Sequence, residues 1–151
     1  MSWPSTGWTP RTRTSLRCSF KNLPVPVRAA WDLGLALFWW NRDVDAMDRS
    51  ATRAAALFDA LGDANGHHAA LAALLVVAAR RSEGVEARRA RLADSMQPGL
   101  SLESRRHAAS ARAIAAAVEG NAEAATTFLT ETLALAHLMG DSLNVANARI
   151  N

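Results

Sequence analysis

Apolar residues recur along most of this chain at positions three, four and seven apart. Positions with that spacing lie on one face of an α-helix, so the pattern predicts helices joined by short turns. A seventh helix is predicted to begin near Leu143 and to be truncated by the end of the sequence. The other predicted helices run from about Val27 to Asn41, Asp43 to Leu61, Gly66 to Arg81, Val85 to Gln97, Ser101 to Glu119 and Ala122 to Met139.

The predicted helices differ in how much of their surface is apolar. The first is apolar on nearly every side after Asp32, so we expect most of it to be buried. The third places Leu71, Leu74 and Leu75 on a single face. The sixth carries apolar residues on more than one stripe, which predicts contacts on two of its sides.

The chain also repeats itself. An ungapped offset of 78 residues brings Gly62-Asp63 onto Gly140-Asp141 and Leu57 onto Leu135. Half of that offset, about 39 residues, is somewhat longer than one tetratricopeptide hairpin. We therefore predict an all-α, right-handed solenoid of antiparallel helical hairpins (TPR-like), with about three hairpins plus the truncated seventh helix.

A family resemblance lies in Gly120 to Ala125, Leu133 to Ala136 and Gly140-Asp141, and Ala55 to Asp63 is similar. These segments resemble a degenerate tetratricopeptide unit. In such a unit a Gly and an Ala lie where the two helices pack together, and a Gly-Asp turn ends the second helix. Residues 27–151 as a whole resemble the helical-repeat region of bacterial multidomain transcriptional regulators and signalling ATPases. The Walker phosphate loop and a recognisable DNA-binding domain are missing from this sequence, so the resemblance implies a scaffold without catalytic activity.

The charges divide the chain into two regions. The net charge is +3, yet residues 1–28 contain five basic residues and no acid, so the remainder is mildly acidic. Four of the five prolines lie within residues 1–26, which predicts a basic flexible tail followed by one helical-repeat domain over residues 27–151. The lone Cys18 excludes an intramolecular disulfide, which favours a cytoplasmic protein over a secreted one.

No motif in the sequence points to catalysis. The sequence contains no phosphate-binding loop, no dinucleotide fingerprint, no zinc-protease motif, no serine-hydrolase motif and no paired cysteines. His67 and His68 are adjacent, but neighbouring side chains on a helix do not share a face and so converge poorly on a metal ion. We therefore expect no enzymatic activity, no cofactor and no metal site.

A run of arginines between Arg80 and Arg91 allows two interpretations. It could bind phosphate groups, or it could be a solvated surface that carries ion pairs. Glu83, Glu86 and Asp94 interleave the arginines, and Glu86 is spaced to pair with a basic residue one turn away, which favours the second interpretation.

The predicted solenoid would bind partners on its concave surface, which is lined by the first helix of each hairpin. We predict that Arg105, Arg106 and Arg112 contact an acidic partner peptide there, with His67 and Trp31 as further partner-binding residues. For Trp31 the alternative is a place in the core at the first end of the solenoid.

The leading hypothesis is a protein–protein interaction or regulatory module, part of or derived from a bacterial transcriptional regulator. The alternative is a small nucleic-acid-associated protein that uses the basic tail, where Trp3, Trp8 and Phe20 lie among the cations. Deleting residues 1–26 would abolish a steeply salt-dependent binding only in the second case. Open solenoid ends predict self-association, unless the chain is a piece of a larger regulator; membrane binding is not expected.

Overall fold

The computed structural model describes residues 22–140, and all regular structure in that range is α-helical. The all-α prediction is therefore confirmed for these residues. The predicted seventh helix and residues 1–21 of the predicted tail lie outside the described range. The helices are α1 (Val25–Phe38), α2 (Val44–Leu61), α3 (Ala64–Arg81), α4 (Val85–Asp94), α5 (Leu102–Val118) and α6 (Ala122–Leu138).

Short polar side chains set the starts of four helices. Each accepts a hydrogen bond from a backbone N–H in the first turn, which satisfies a donor that has no partner within the helix. The cap at Asp63 explains why α3 begins at Ala64, two residues earlier than predicted. The pairs are Asp43 with Ala46, Asp63 with Gly66, Ser101 with Ser104 and Asn121 with Ala124.

The helices pack in an order that centres on α3. Among the described residues, α1 packs on α2, α2 on α3, α3 on α5, and α5 on α6. The shorter α4 lies against α3 and touches α5 only slightly, while α1 also contacts α3. Every residue from His68 to Ala79 is buried, so α3 has neighbours on all sides.

The prediction that most of the first helix is buried is wrong, and the third helix is buried beyond its leucine face. Seven alanines let the neighbours of the third helix approach from every direction. The first helix is only partly buried: Ala29, Asp32 and Ala36 face the interior, while larger apolar residues are left at the surface. The sixth helix packs chiefly against α5 in the described part of the chain.

Gly66 allows the closest approach between helices. An ideal Cβ on Gly66 would lie 2.3 Å from the Cδ1 ring carbon of Phe58 on α2. Real Cβ atoms do not come that close to another carbon, so α2 and α3 can pack at this distance only with glycine at this position.

Ion pairs tie the surface ends of the helices together. Arg81 contacts Asp45 at 2.5 Å and Asp48 at 2.7 Å, which joins the end of α3 to the start of α2. Arg89 pairs with Glu86 and with Glu119, which joins α4 to the end of α5. The arginine run thus contains the ion pairs that the sequence favoured. Within residues 22–140, the helices lack the combination of length and hydropathy needed to cross a bilayer.

Candidate docking face

One side of α1 presents an apolar surface to solvent. Val27, Ala30, Trp31, Gly34 and Phe38 follow the helical spacing of a single stripe, and all five are exposed. The three large members are each about half exposed, at 48% for Val27 and 53% for both Trp31 and Phe38. We call these five residues the α1 outer face. Large apolar groups on one continuous stripe are typical of interaction surfaces.

A cavity of about 470 Å³ opens between α1 and α2 beside this face. Its volume falls within the range of small-molecule and side-chain binding pockets. We call it the α1–α2 cavity. Its walls are Arg28, Trp31, Asp32 and Leu35 from α1, and Arg53, Ala56 and Leu57 from α2.

The charged groups of the α1–α2 cavity are unevenly matched. The carboxylate of Asp32 is buried, and it accepts a hydrogen bond from Arg53 Nε at 3.2 Å. That ion pair compensates the buried carboxylate. Arg28 Nε is also buried and has no hydrogen-bond partner among the described residues. The cavity therefore holds one paired cation, Arg53, and a second cation, Arg28, whose buried Nε makes no hydrogen bond within the described residues.

A second cavity lies on the other side of Trp31. It measures about 510 Å³ and is lined by Leu23, Pro26, Val27, Ala30 and Trp31. The indole of Trp31 lines both cavities, so the two form adjoining depressions along α1. Two adjacent apolar depressions match the way in which successive side chains of a docked helix enter a groove.

The structure separates the residues that the sequence proposed for partner binding. Trp31 lies on the α1 outer face, whereas His67 lines a cavity of about 280 Å³ beside Asp94, Ser95 and Gln97. On α5, Arg105 is exposed, Arg106 is half-buried, and the guanidinium of Arg112 lies 6.0 Å from the centre of the Phe128 ring. These five residues do not form one site, and their partner contacts stay predictions.

A smaller groove runs across α1, α3 and α5. Its volume is about 140 Å³, and its walls include Leu33, Leu37, Asn65 and His107. None of the five predicted partner-binding residues lines it. His107 Nε2 lies 3.8 Å from Glu103 Oε1, and burial together with the charge of Arg106 lowers the pKa of His107 to about 4. This imidazole is neutral near pH 7.

A second neutral histidine lies inside α3. His68 is fully buried, and its Nδ1 lies 2.6 Å from Ser95 Oγ. The Ser95 hydroxyl donates to the carbonyl of Leu92, so Nδ1 carries the proton and donates to Ser95. Burial, and secondarily the charge of Arg112, lowers the pKa of His68 to about 4. His68 thus anchors the end of α4 to α3 as a neutral donor.

The side chains that line the α1–α2 cavity have the chemistry to bind a ligand that is partly apolar and partly anionic. A guanidinium pair, one compensated carboxylate, an indole and aliphatic walls can hold an apolar group next to an anion. Across residues 22–140, the structure places no cluster of three His, Cys, Asp or Glu side chains suited to a metal ion.

Sequence reasoning missed Arg28, Asp32 and Arg53 as a unit. Asp32 was treated only as an interruption of an apolar helix. A carboxylate at such a position is itself a signal, because a buried acid requires a basic partner. The partner here is Arg53, which lies 21 residues further along the chain, and no local spacing identifies it.

Comparisons of this chain with protein-family models, with curated proteins and with solved structures found no match.

Proposed function

We propose that this chain is a protein–protein interaction or regulatory scaffold module without catalytic activity of its own. Its helices would form a TPR-like solenoid of three hairpins, α1 with α2, α3 with α4, and α5 with α6. The contacts between α1 and α3, and between α3 and α5, support this arrangement, since the first helices of successive hairpins are neighbours in such a stack. An origin in a bacterial transcriptional regulator is part of the proposal and rests on the family resemblance.

The single observation that carries the proposal is the α1 outer face. Trp31 and Phe38 are each 53% exposed on one stripe of a helix whose other side is packed into the core. When a partner docks, exposed apolar area of this kind is removed from water. Each Å² of apolar area that is buried stabilises the complex by about 25 cal/mol. The adjoining cavities supply the concave shape that a partner side chain needs.

A direct binding experiment tests this. The probe is a fluorescein-labelled amphipathic helical peptide of about 18 residues, with one leucine face and an uncharged Gln/Ser face. Fluorescence anisotropy of the probe against the full chain is expected to show saturable binding. Trp31→Ala should weaken it at least about tenfold, because central aromatic residues dominate helix docking energies.

The matched control is Met96→Ala, which removes another exposed apolar side chain that lines neither of the two cavities beside Trp31. Met96→Ala should bind the probe as the wild type does. Sedimentation of the free chain tests the alternative occupant, a second copy. Failure of the probe to bind, or equal loss in the two variants, would contradict the proposal, and so would self-association that Trp31→Ala abolishes without any peptide binding.

A further inference from the structure

We propose that the α1–α2 cavity recognises an acidic amphipathic helix of a partner protein, with an apolar side chain inside the cavity and a carboxylate at Arg28. This inference rests on the proposed function and adds the chemistry of the partner.

The charge of the cavity selects an acidic partner. Two guanidinium groups and one carboxylate line it, and the carboxylate of Asp32 is already paired with Arg53 at 3.2 Å. The buried Nε of Arg28 lacks a hydrogen-bond partner within the described range. Because Nε is closed to solvent, a partner carboxylate would pair with the terminal nitrogens of the Arg28 guanidinium group.

The apolar walls select a side chain attached to that acid. Leu35, Ala56 and Leu57 offer aliphatic surface, and Trp31 forms the wall shared with the second cavity. Two depressions separated by one indole can take two apolar side chains that are one turn apart on a helix. The partner would therefore alternate leucine-type residues with Asp or Glu along one face.

Other occupants fit the charge less well. Residues 1–21 of this chain carry Arg11, Arg13, Arg17 and Lys21 and no acid, so they would bring cations to cations. A second copy would bring Arg28 and Arg53 again. Single-stranded nucleic acid would satisfy the cations, but its bases bind by stacking on several aromatic side chains, and Trp31 is the one aromatic residue among those that line this cavity.

The test compares three peptides with the same leucine face as the uncharged probe. One carries Glu beside the leucines, one carries Lys there, and one is uncharged. Anisotropy against the full chain should give the tightest binding for the Glu peptide, about tenfold or more above the uncharged one, and little for the Lys peptide. A single-stranded oligothymidine serves as the nucleic-acid probe.

Variants of Arg28 locate the effect. Arg28→Met keeps the aliphatic stem and removes the donor, so its loss of affinity should be at least about fivefold larger for the Glu peptide than for the uncharged peptide. Arg28→Glu should invert the preference toward the Lys peptide. Arg91→Met on α4 is the matched control, since Arg91 is exposed and far from the cavity. Circular dichroism verifies that each variant is folded.

The outcomes separate the two proposals. If all three peptides bind equally well through Trp31, the docking face stands and the acidic specificity is overturned. If none binds, both fall. Equal losses in Arg28→Met and Arg91→Met, or preferential binding of the oligothymidine, would also overturn the acidic helix as the partner.

Discussion

Helices α1 and α3 use their apolar residues in opposite ways. Helix α3 is built mainly from alanine with a few leucines and valines, and it is buried without interruption from His68 to Ala79. Helix α1 has larger apolar side chains, yet its buried residues are Ala29, Asp32 and Ala36, and Trp31 and Phe38 are half exposed. Small side chains let four helices approach α3, whereas the indole and phenyl rings of α1 remain at the surface. Helix α3 is therefore the centre of the packing, whereas α1 carries the exposed apolar surface that we propose for docking.

One way to break this contrast is to add volume beside α3. Gly66→Ala places a Cβ 2.3 Å from the Phe58 ring, so α2 must shift away from α3. We expect a loss of about 1–3 kcal/mol in the free energy of unfolding, as is typical of overpacked cores. Urea denaturation measures it. Phe58→Leu removes the obstructing ring. The loss in the free energy of unfolding in the double variant Gly66→Ala/Phe58→Leu should therefore be smaller than the sum of the losses in the two single variants. A strictly additive loss would contradict the close contact.

Acid should also destabilise the packing around α3, because it protonates the buried His68. The pKa of His68 is lowered from 6.5 to about 4 by burial, so the unfolded chain binds a proton more readily than the folded one. Stability is therefore complete above about pH 6.5 and is lost as the pH falls toward 4, by about 3 kcal/mol for this group.

Urea denaturation of the wild type and of His68→Gln at several pH values checks this. The variant should have a flatter profile between pH 6.5 and 4. His107→Gln is a second variant for the same measurement. The pKa of His107 is also lowered, so the stability of this variant should likewise change less than that of the wild type between pH 6.5 and 4. If the free energy of unfolding of the wild type and of His68→Gln fell in parallel with pH, the lowered pKa of His68 would be contradicted.

The smallest effect is expected on the open side of α1. Nothing lies within 4 Å of a Cβ built on Gly34, and this glycine is within a helix. Gly34→Ala should stabilise the chain by about 0.5–1 kcal/mol, because alanine loses less backbone entropy in a helix. The same urea measurement applies. A loss of stability comparable to that of Gly66→Ala would contradict the open space at Gly34.

Much of the fold could be predicted from the sequence. The periodicity located six helices. The side-chain cap at Ser101 begins α5 and the left-handed Gly62 ends α2, each within one residue of the predicted bound. Local signals of this kind depend on a few neighbouring residues, so a single sequence contains them. The early start of α3 was missed although Asp63 offers a clear capping side chain.

The burial of α1 and α3 could not be predicted in the same way. Apolar content says that a helix has faces to bury, but not how many neighbours will reach it. The alanines of α3 are smaller apolar residues than Trp31 and Phe38 of α1, yet they form the interior of the fold. The Asp32–Arg53 ion pair belongs to the same category, because it depends on which two helices meet.

Amide hydrogen exchange with and without the Glu peptide tests the central claim most directly. The account predicts that α3 amides exchange slowest, by global unfolding, and that the peptide slows exchange mainly in α1 and the adjoining turns of α2. Exchange in α3 as fast as in α1, or protection by the peptide confined to α5 and α6, would contradict it.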